Sequence, residues 1–209
     1  NESVSAQKAK EKEYKKLTNE EKQVQSTINS LKKQEKKIRN ELAKKKKEVD
    51  RPNKEIERIL SQTVREQGKN VVKSKFSENK GKLPGHVKQG VIVEKFGQSY
   101  HPVFKTVKLP FNNGINISAP KGSKALSVFD GVVKQILVMP GYNQCVLVQH
   151  GEYFTFYCKL KKVDVKTGQT VKIGGSIGTI DDSEDGNAIL HFQLWKGTQK
   201  QDPEHWLRK

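Results

Sequence analysis

Catalytic zinc needs about three strong side-chain donors (imidazole, thiolate or carboxylate) with one position left for water. Three segments of this sequence bear on that requirement and are short of such donors. Asn112-Asn113-Gly114-Ile115-Asn116 carries amides, Ile189-Leu190-His191 a single imidazole, and Tyr157-Cys158-Lys159-Leu160 a lysine. An Asn offers only a neutral carbonyl, and a lone His191 does not hold the ion. Without a metal, water keeps a pKa near ~16 instead of ~7, and no nucleophile forms at neutral pH. The two cysteines carry a separate chemistry. If His150-Gly151-Glu152-Tyr153 closes a two-residue hairpin, Cys145 faces Cys158 in a non-hydrogen-bonded pair, where Cα atoms approach to about 4.5 Å. That lies within disulfide range, and a disulfide and two reduced buried thiols both stay open.

The elements that must position these residues fall into two halves. From about Glu2 to Gln67 apolar residues recur at alternating three-and-four spacing. Leu17, Val24, Leu31 and Ile38 form one seam position, and Tyr14, Ile28, Leu42, Val49 and Ile56 the other, a coiled-coil signature. Glu21, Glu35 and Lys45 interrupt that seam; a fragment of an antiparallel helical hairpin fits as well as a dimer. Pro52 removes a helical hydrogen bond and clashes with the preceding turn, so a break is predicted near 50–53, followed by a short helix over 54–67. Its stripe of Ile56, Ile59, Leu60 and Val64 must be buried against something. It is either a docking segment or the coiled coil continuing past a kink. Residues 68–84, with Gly68, Gly81 and Pro84, read as a linker. Beyond it the period changes to two, in short apolar runs separated by Gly, Pro or Asn, the pattern of an antiparallel all-β domain over 85–209.

The formal charge of +17 fits either a polyanionic partner or lysines solvating an exposed helix. No apolar run approaches the ~18 residues of a membrane span. The chain begins at Asn1 without a signal-like stretch, so a removed leader or a fragment of something longer is expected. The lysines lie mainly on the helix without interleaved aromatics, which argues against nucleic acid.

Four segments of the β half carry a family pattern. GVIVEKFGQSYH at Gly90–His101, FNNGINISAPKGSKALSVFDGVV, QHGEYFTFYCKL with VKTGQTVKIGGSIGTI, and LHFQLWKG with DPEHWL occur in that order. Together they resemble the LytM or lysostaphin-like metallopeptidases. The resemblance implies an α+β chain: a long coiled-coil helix and a short helix, then an antiparallel all-β LytM-like domain (a duplicated hybrid motif). Active members of that family hold zinc through the His and Asp of an H-x-G-x-D loop and the second His of an H-x-H strand. Histidines in a Y-x-H-L segment and at the first H-x-H position serve the reaction. Here the corresponding positions are Asn112, Asn116, His191, Lys159 and Ile189. His86, His101, His150 and His205 lie in segments that supply no ligand in the family. The resemblance therefore implies neither metal nor other cofactor, and no peptidase activity.

A coiled coil followed by a degenerate domain resembles the murein hydrolase activators of the EnvC type. That implies an exported, periplasmic protein that binds and activates N-acetylmuramoyl-L-alanine amidases in daughter-cell separation. Its groove would be lined by Asn112, Asn116, Lys159, Ile189 and His191, with the coiled coil reaching a membrane division complex. The helix bearing Ile56, Ile59, Leu60 and Val64 would be a lid or regulatory arm. Tyr153, Tyr157 and Phe192 are groove neighbours or, more in keeping with aromatic residues in strands, core. The alternatives are a peptidoglycan-binding structural module and a residual zinc endopeptidase with displaced ligands. The V-x-x-G-x-x-V-x-x-G-x-x-I-G pattern at Val165–Gly178 also occurs in lipoyl-like adaptor domains, but the HFQLW strand and the Asn112 loop argue against that.

Overall fold

The computed structural model describes residues 2–67, 75–182 and 187–208. One helix, α1, spans Glu2–Gln67, 66 residues, about 100 Å at 1.5 Å per residue. Ten strands follow: β1 (Val91–Glu94), β2 (Ile115–Pro120), β3 (Lys124–Leu126), β4 (Gly131–Met139) and β5 (Asn143–His150), then β6 (Tyr153–Val163), β7 (Thr170–Val171), β8 (Ser176–Ile180), β9 (Asn187–Lys196) and β10 (Gln199–Gln201). The pairing is antiparallel throughout, in the order β1-β2-β9-β6-β5-β4-β7. β10 adds to β9, and β8 bridges β3 and β6. The α+β architecture is the expected one.

The two faces of this sheet explain its sequence. Leu190, Phe192 and Leu194 of β9, Tyr153 and Tyr157 of β6, and Val146 and Val148 of β5 enter the main core. Their neighbours Trp195, Phe154, Phe156, Cys158, Cys145 and Leu147 point to the other face and pack with Ile56, Ile59 and Leu60 of α1. Because both faces are covered, the strands read as near-continuous apolar runs. Tyr153, Tyr157 and Phe192 are core, and the Tyr157 hydroxyl accepts a hydrogen bond from Val128 N at 3.0 Å.

Two expectations need correction. First, α1 does not break at 50–53: Pro52 lies inside it. A helix-interior proline costs about 3 kcal/mol, but Pro52, Asn53, Ile56, Ile59 and Leu60 are all buried against the sheet. Fully burying each aliphatic side chain returns about 1.5–3 kcal/mol, so packing outweighs local propensity. The segment 54–67 is thus the end of one helix, and Val64, 36% exposed, lies off its docked stripe. Second, the β domain begins before residue 85. A 3-10 turn at Lys75–Asn79 sets Phe76, fully buried, among Phe129, His150, Tyr153 and Trp206. Leu83 N donates to Trp206 O at 3.1 Å and Arg208 N to Leu83 O at 2.9 Å, tying this segment to the last residues of the chain. The rest of the expected linker, residues 68–74, lies outside the described residues. Over the first half of α1 the seam residues Tyr14, Leu17, Val24, Ile28 and Leu31 are exposed, whereas Ile38 and Leu42 are half-buried near the β domain.

Candidate functional site

The register β2 against β9 places Asn116 opposite His191, and β9 against β6 places His191 opposite Cys158. Period-two alternation then puts His191, Gln193 and Trp195 on the face that α1 covers. Between β5 and β6 the register slips, so Cys158 and Lys159 crowd the place opposite Cys145. Such a bulge re-aims a side chain. Lys159 takes a left-handed backbone, φ 64°, pinned by its N–H to Tyr142 O at 2.7 Å and by Asp181 N to its carbonyl at 2.8 Å. The hairpin pairs His150 with Tyr153, and Cys145 and Cys158 form a disulfide, Cα–Cα 4.1 Å. It lies fully buried beneath Ile56, Ile59 and Leu60.

A directed chain of hydrogen bonds fixes the centre. Trp195 Nε1 donates to Gln193 Oε1 at 3.0 Å, which orients that amide. Gln193 Nε2 then donates to His191 Nε2 at 2.8 Å, so His191 carries its proton on Nδ1 and gives it to Asn116 Oδ1 at 2.7 Å. Asn116 Nδ2 donates onward to Glu94. Gln193 Nε2 also reaches Asn53 Oδ1 of α1 at 3.4 Å. The His191 ring stacks on Tyr142, with centroids 4.7 Å apart. Burial and the nearby Lys159 charge push its pKa down to about 3, so it is neutral. Burial also lowers Lys159, against an opposing pull from Glu94. Tyr142 is pushed up to about 12, chiefly by burial.

These groups line a cavity of about 570 Å³, roofed by Lys45 and Pro52 of α1 and walled by Leu109–Phe111 and Pro140–Tyr142. Asn112, Asn116, Lys159 and His191 meet there with Glu94. Ile189, on the same face of β9 two residues before His191, is not among the lining residues. Asn112 is spent on its own loop, donating to Lys95 O at 3.1 Å and accepting from Gly114 N at 3.3 Å. Sequence reasoning missed Glu94, Tyr142, Gln193 and Asn53. Only Gln193 left a signal, two residues from His191 on one strand face.

The residues present do not fit a catalytic zinc. Both ring nitrogens of His191 are committed, and its partners are amides. Among the described residues no group of three or more His, Cys, Asp or Glu is placed to hold a metal. The backbone of the old loop nevertheless still faces His191. A variant carrying Asn112→His and Asn116→Asp is therefore expected to retain about one zinc per chain after dialysis, with the parent protein retaining none. Metal analysis checks this, and a zinc-free variant would mean that the loop no longer meets His191.

Residues 110–203 match the model of Peptidase family M23. The chain is 33% identical over 98 residues to the uncharacterized lipoprotein YgeR of Escherichia coli, covering 46% of this chain and 39% of YgeR. It is 29% identical over 112 residues to the murein hydrolase activator NlpD of the same organism, covering 52% of this chain and 27% of NlpD. It thus spans well under half the length of either relative. Among solved structures, Csd3 of Helicobacter pylori superimposes with a TM-score of 0.51 at 30% identity, over 61% of this chain and 35% of Csd3. With the strand order, the Asn112–Asn116 loop and the His191 strand in their places, the β domain of this chain is an M23, or LytM-type, peptidase-family domain.

Proposed function

We propose that the chain is a non-catalytic activator of cell-wall N-acetylmuramoyl-L-alanine amidases, exported to the periplasm and acting in daughter-cell separation. The observation that carries this reading is the hydrogen-bonded amide–imidazole chain at the old metal site. It keeps the M23 groove shaped while consuming the donors that zinc would need. NlpD, a murein hydrolase activator by name, is a relative over the β domain. The groove takes amidase, and α1 is the regulatory arm: Ile56, Ile59 and Leu60 seat it, Pro52 and Lys45 overhang the cavity, and its exposed seam at Leu17, Val24 and Leu31 reaches a membrane division complex.

The test is amidase activity on purified sacculi, with the whole chain added either unaltered or as Leu60→Asp. Stimulation that rises several-fold in the variant is the expected result. If neither protein stimulates any N-acetylmuramoyl-L-alanine amidase, the activator reading is wrong. The second reading, a peptidoglycan-binding structural module, draws on the charge of +17. Sacculus binding that survives moderate salt would favour it, because simple charge attraction is screened.

A further inference from the structure

We propose that the groove recognises a carboxylate, carried by the partner on a helix one turn before an apolar triplet of the kind α1 now supplies. This rests on the reading of the groove as a protein-docking site, and it names the chemistry of the occupant. The argument starts from an imbalance. α1 fits the sheet by its apolar anchors, with Ile56 and Leu60 fully buried and Ile59 nearly so. One turn earlier, Pro52 lies over the cavity that holds Lys159, and a proline ring has nothing to offer an ammonium.

Among the described residues, the other α1 side chain lining that cavity is Lys45, a second cation. Glu94, the one carboxylate among the described lining residues, already accepts from Asn116. Lys159 forms no ion pair with any described residue, although it is half-buried and desolvation depresses its pKa. With two lysines against one glutamate among the described lining residues, the cavity is a cationic hole, and Pro52, the part of its roof one turn before the apolar anchors, carries no charge. A partly buried cation gains most from an opposite charge that enters the same low-dielectric space. A helix with Asp or Glu at the place of Pro52, followed by aliphatic residues four, seven and eight positions on, satisfies both halves of the site at once. α1 satisfies only the apolar half, so it holds the groove by packing and yields to a helix that also brings the charge. Specificity then comes from what the resident helix leaves unpaired.

The test supplies the carboxylate in cis. Pro52→Glu and Pro52→Gln both restore a backbone N–H and similar bulk, and they differ by one charge. Each is made alone and with Lys159→Met, which keeps the stem without the ammonium. The readout is the rate at which a small dithiol reduces the Cys145–Cys158 disulfide, which α1 covers. We expect Pro52→Glu to be reduced roughly tenfold more slowly than Pro52→Gln, a difference of the size of one partly buried charge pair. That difference should vanish in the Lys159→Met background. Equal rates for Glu and Gln, or a gap that persists without Lys159, would overturn the proposal. The cycle contains no amidase, so a failure to stimulate amidases with the cycle intact would strike the activator reading alone.

Discussion

Lowering the pH from 7 to 5 is expected to remove about 6 kcal/mol of folding stability, roughly 2 kcal/mol from each of three buried histidines. His86, His150 and His191 are all buried, and burial pushes their pKa values down to about 3, 4 and 3 respectively. Each is neutral in the folded chain and titrates near 6.5 when unfolded. Below pH 6.5 the unfolded state takes up protons that the folded state refuses. Stability is therefore full above that pH and falls as pH drops toward the folded values. Domains typically hold only 5–15 kcal/mol, so the loss is a large share of the total. The carboxylates held low by lysines, Asp130, Asp164 and Asp182, are still ionised at pH 5 and add their loss only in stronger acid. His86 separates the causes, because its Nε2 has no hydrogen-bond partner and its ring packs edge-on to Phe192. His86→Leu should remove about a third of the pH slope. Denaturant midpoints at pH 7, 6 and 5 measure it, and a midpoint that does not move between 7 and 5 contradicts neutral burial of these rings.

What could be read in advance divides along physical lines. The β5–β6 register was legible from its two-residue turn as far as Val146 and Tyr157, which is enough to bring Cys145 close to Cys158, although the register slips just beyond that pair. Of the stripe Ile56, Ile59, Leu60 and Val64 read from helical spacing, the first three are buried in the fold and Val64 is not. The uninterrupted passage of α1 through Pro52 was not, since local rules count the lost hydrogen bond and cannot count a sheet that arrives from a hundred residues away. Phe76 and Leu83 were hidden for a related reason. Single apolar anchors among polar residues and glycines carry no period, and only the packed Trp206 and Tyr153 explain them. At the site, the resemblance named Asn112, Asn116, Lys159 and His191, which do converge, and Ile189, which stays outside the cavity lining. Glu94 and Tyr142 enter from β1 and the β4–β5 hairpin, elements whose approach is a tertiary event. The left-handed backbone of Lys159 depends on the bulge, for which no glycine or asparagine gives notice.

Placing a charge under the docked end of α1, as Ile56→Asp with Leu60→Asp, is expected to release that end of the helix while the β domain stays folded. Both side chains are fully buried among Leu147, Phe154, Phe156 and Trp195. Removing each costs about 2–5 kcal/mol of packing, and burying a carboxylate without a partner adds several more. Undocking avoids that second penalty, and the sheet can survive it because its main core lies on the opposite face, formed by Val146, Val148, Tyr157 and Phe192 without α1. The Cys145–Cys158 disulfide reports the event directly, since both cysteines are inaccessible under the helix. A loss of about 4 kcal/mol in docking raises the open population by close to a thousandfold. Reduction by a small dithiol should accelerate by at least a hundredfold in the double variant. Val64→Asp is the control: that side chain is partly exposed, one turn beyond the docked stripe, and its rate should stay within about twofold of the parent. Acceleration by all three substitutions would point to general fraying of α1. No acceleration in the double variant would mean that Ile56 and Leu60 do not hold the helix on the sheet. A rate that separates the Ile56/Leu60 pair from Val64, four residues beyond Leu60, locates the docked seat of α1 on the face that carries Pro52 over the Lys159 cavity.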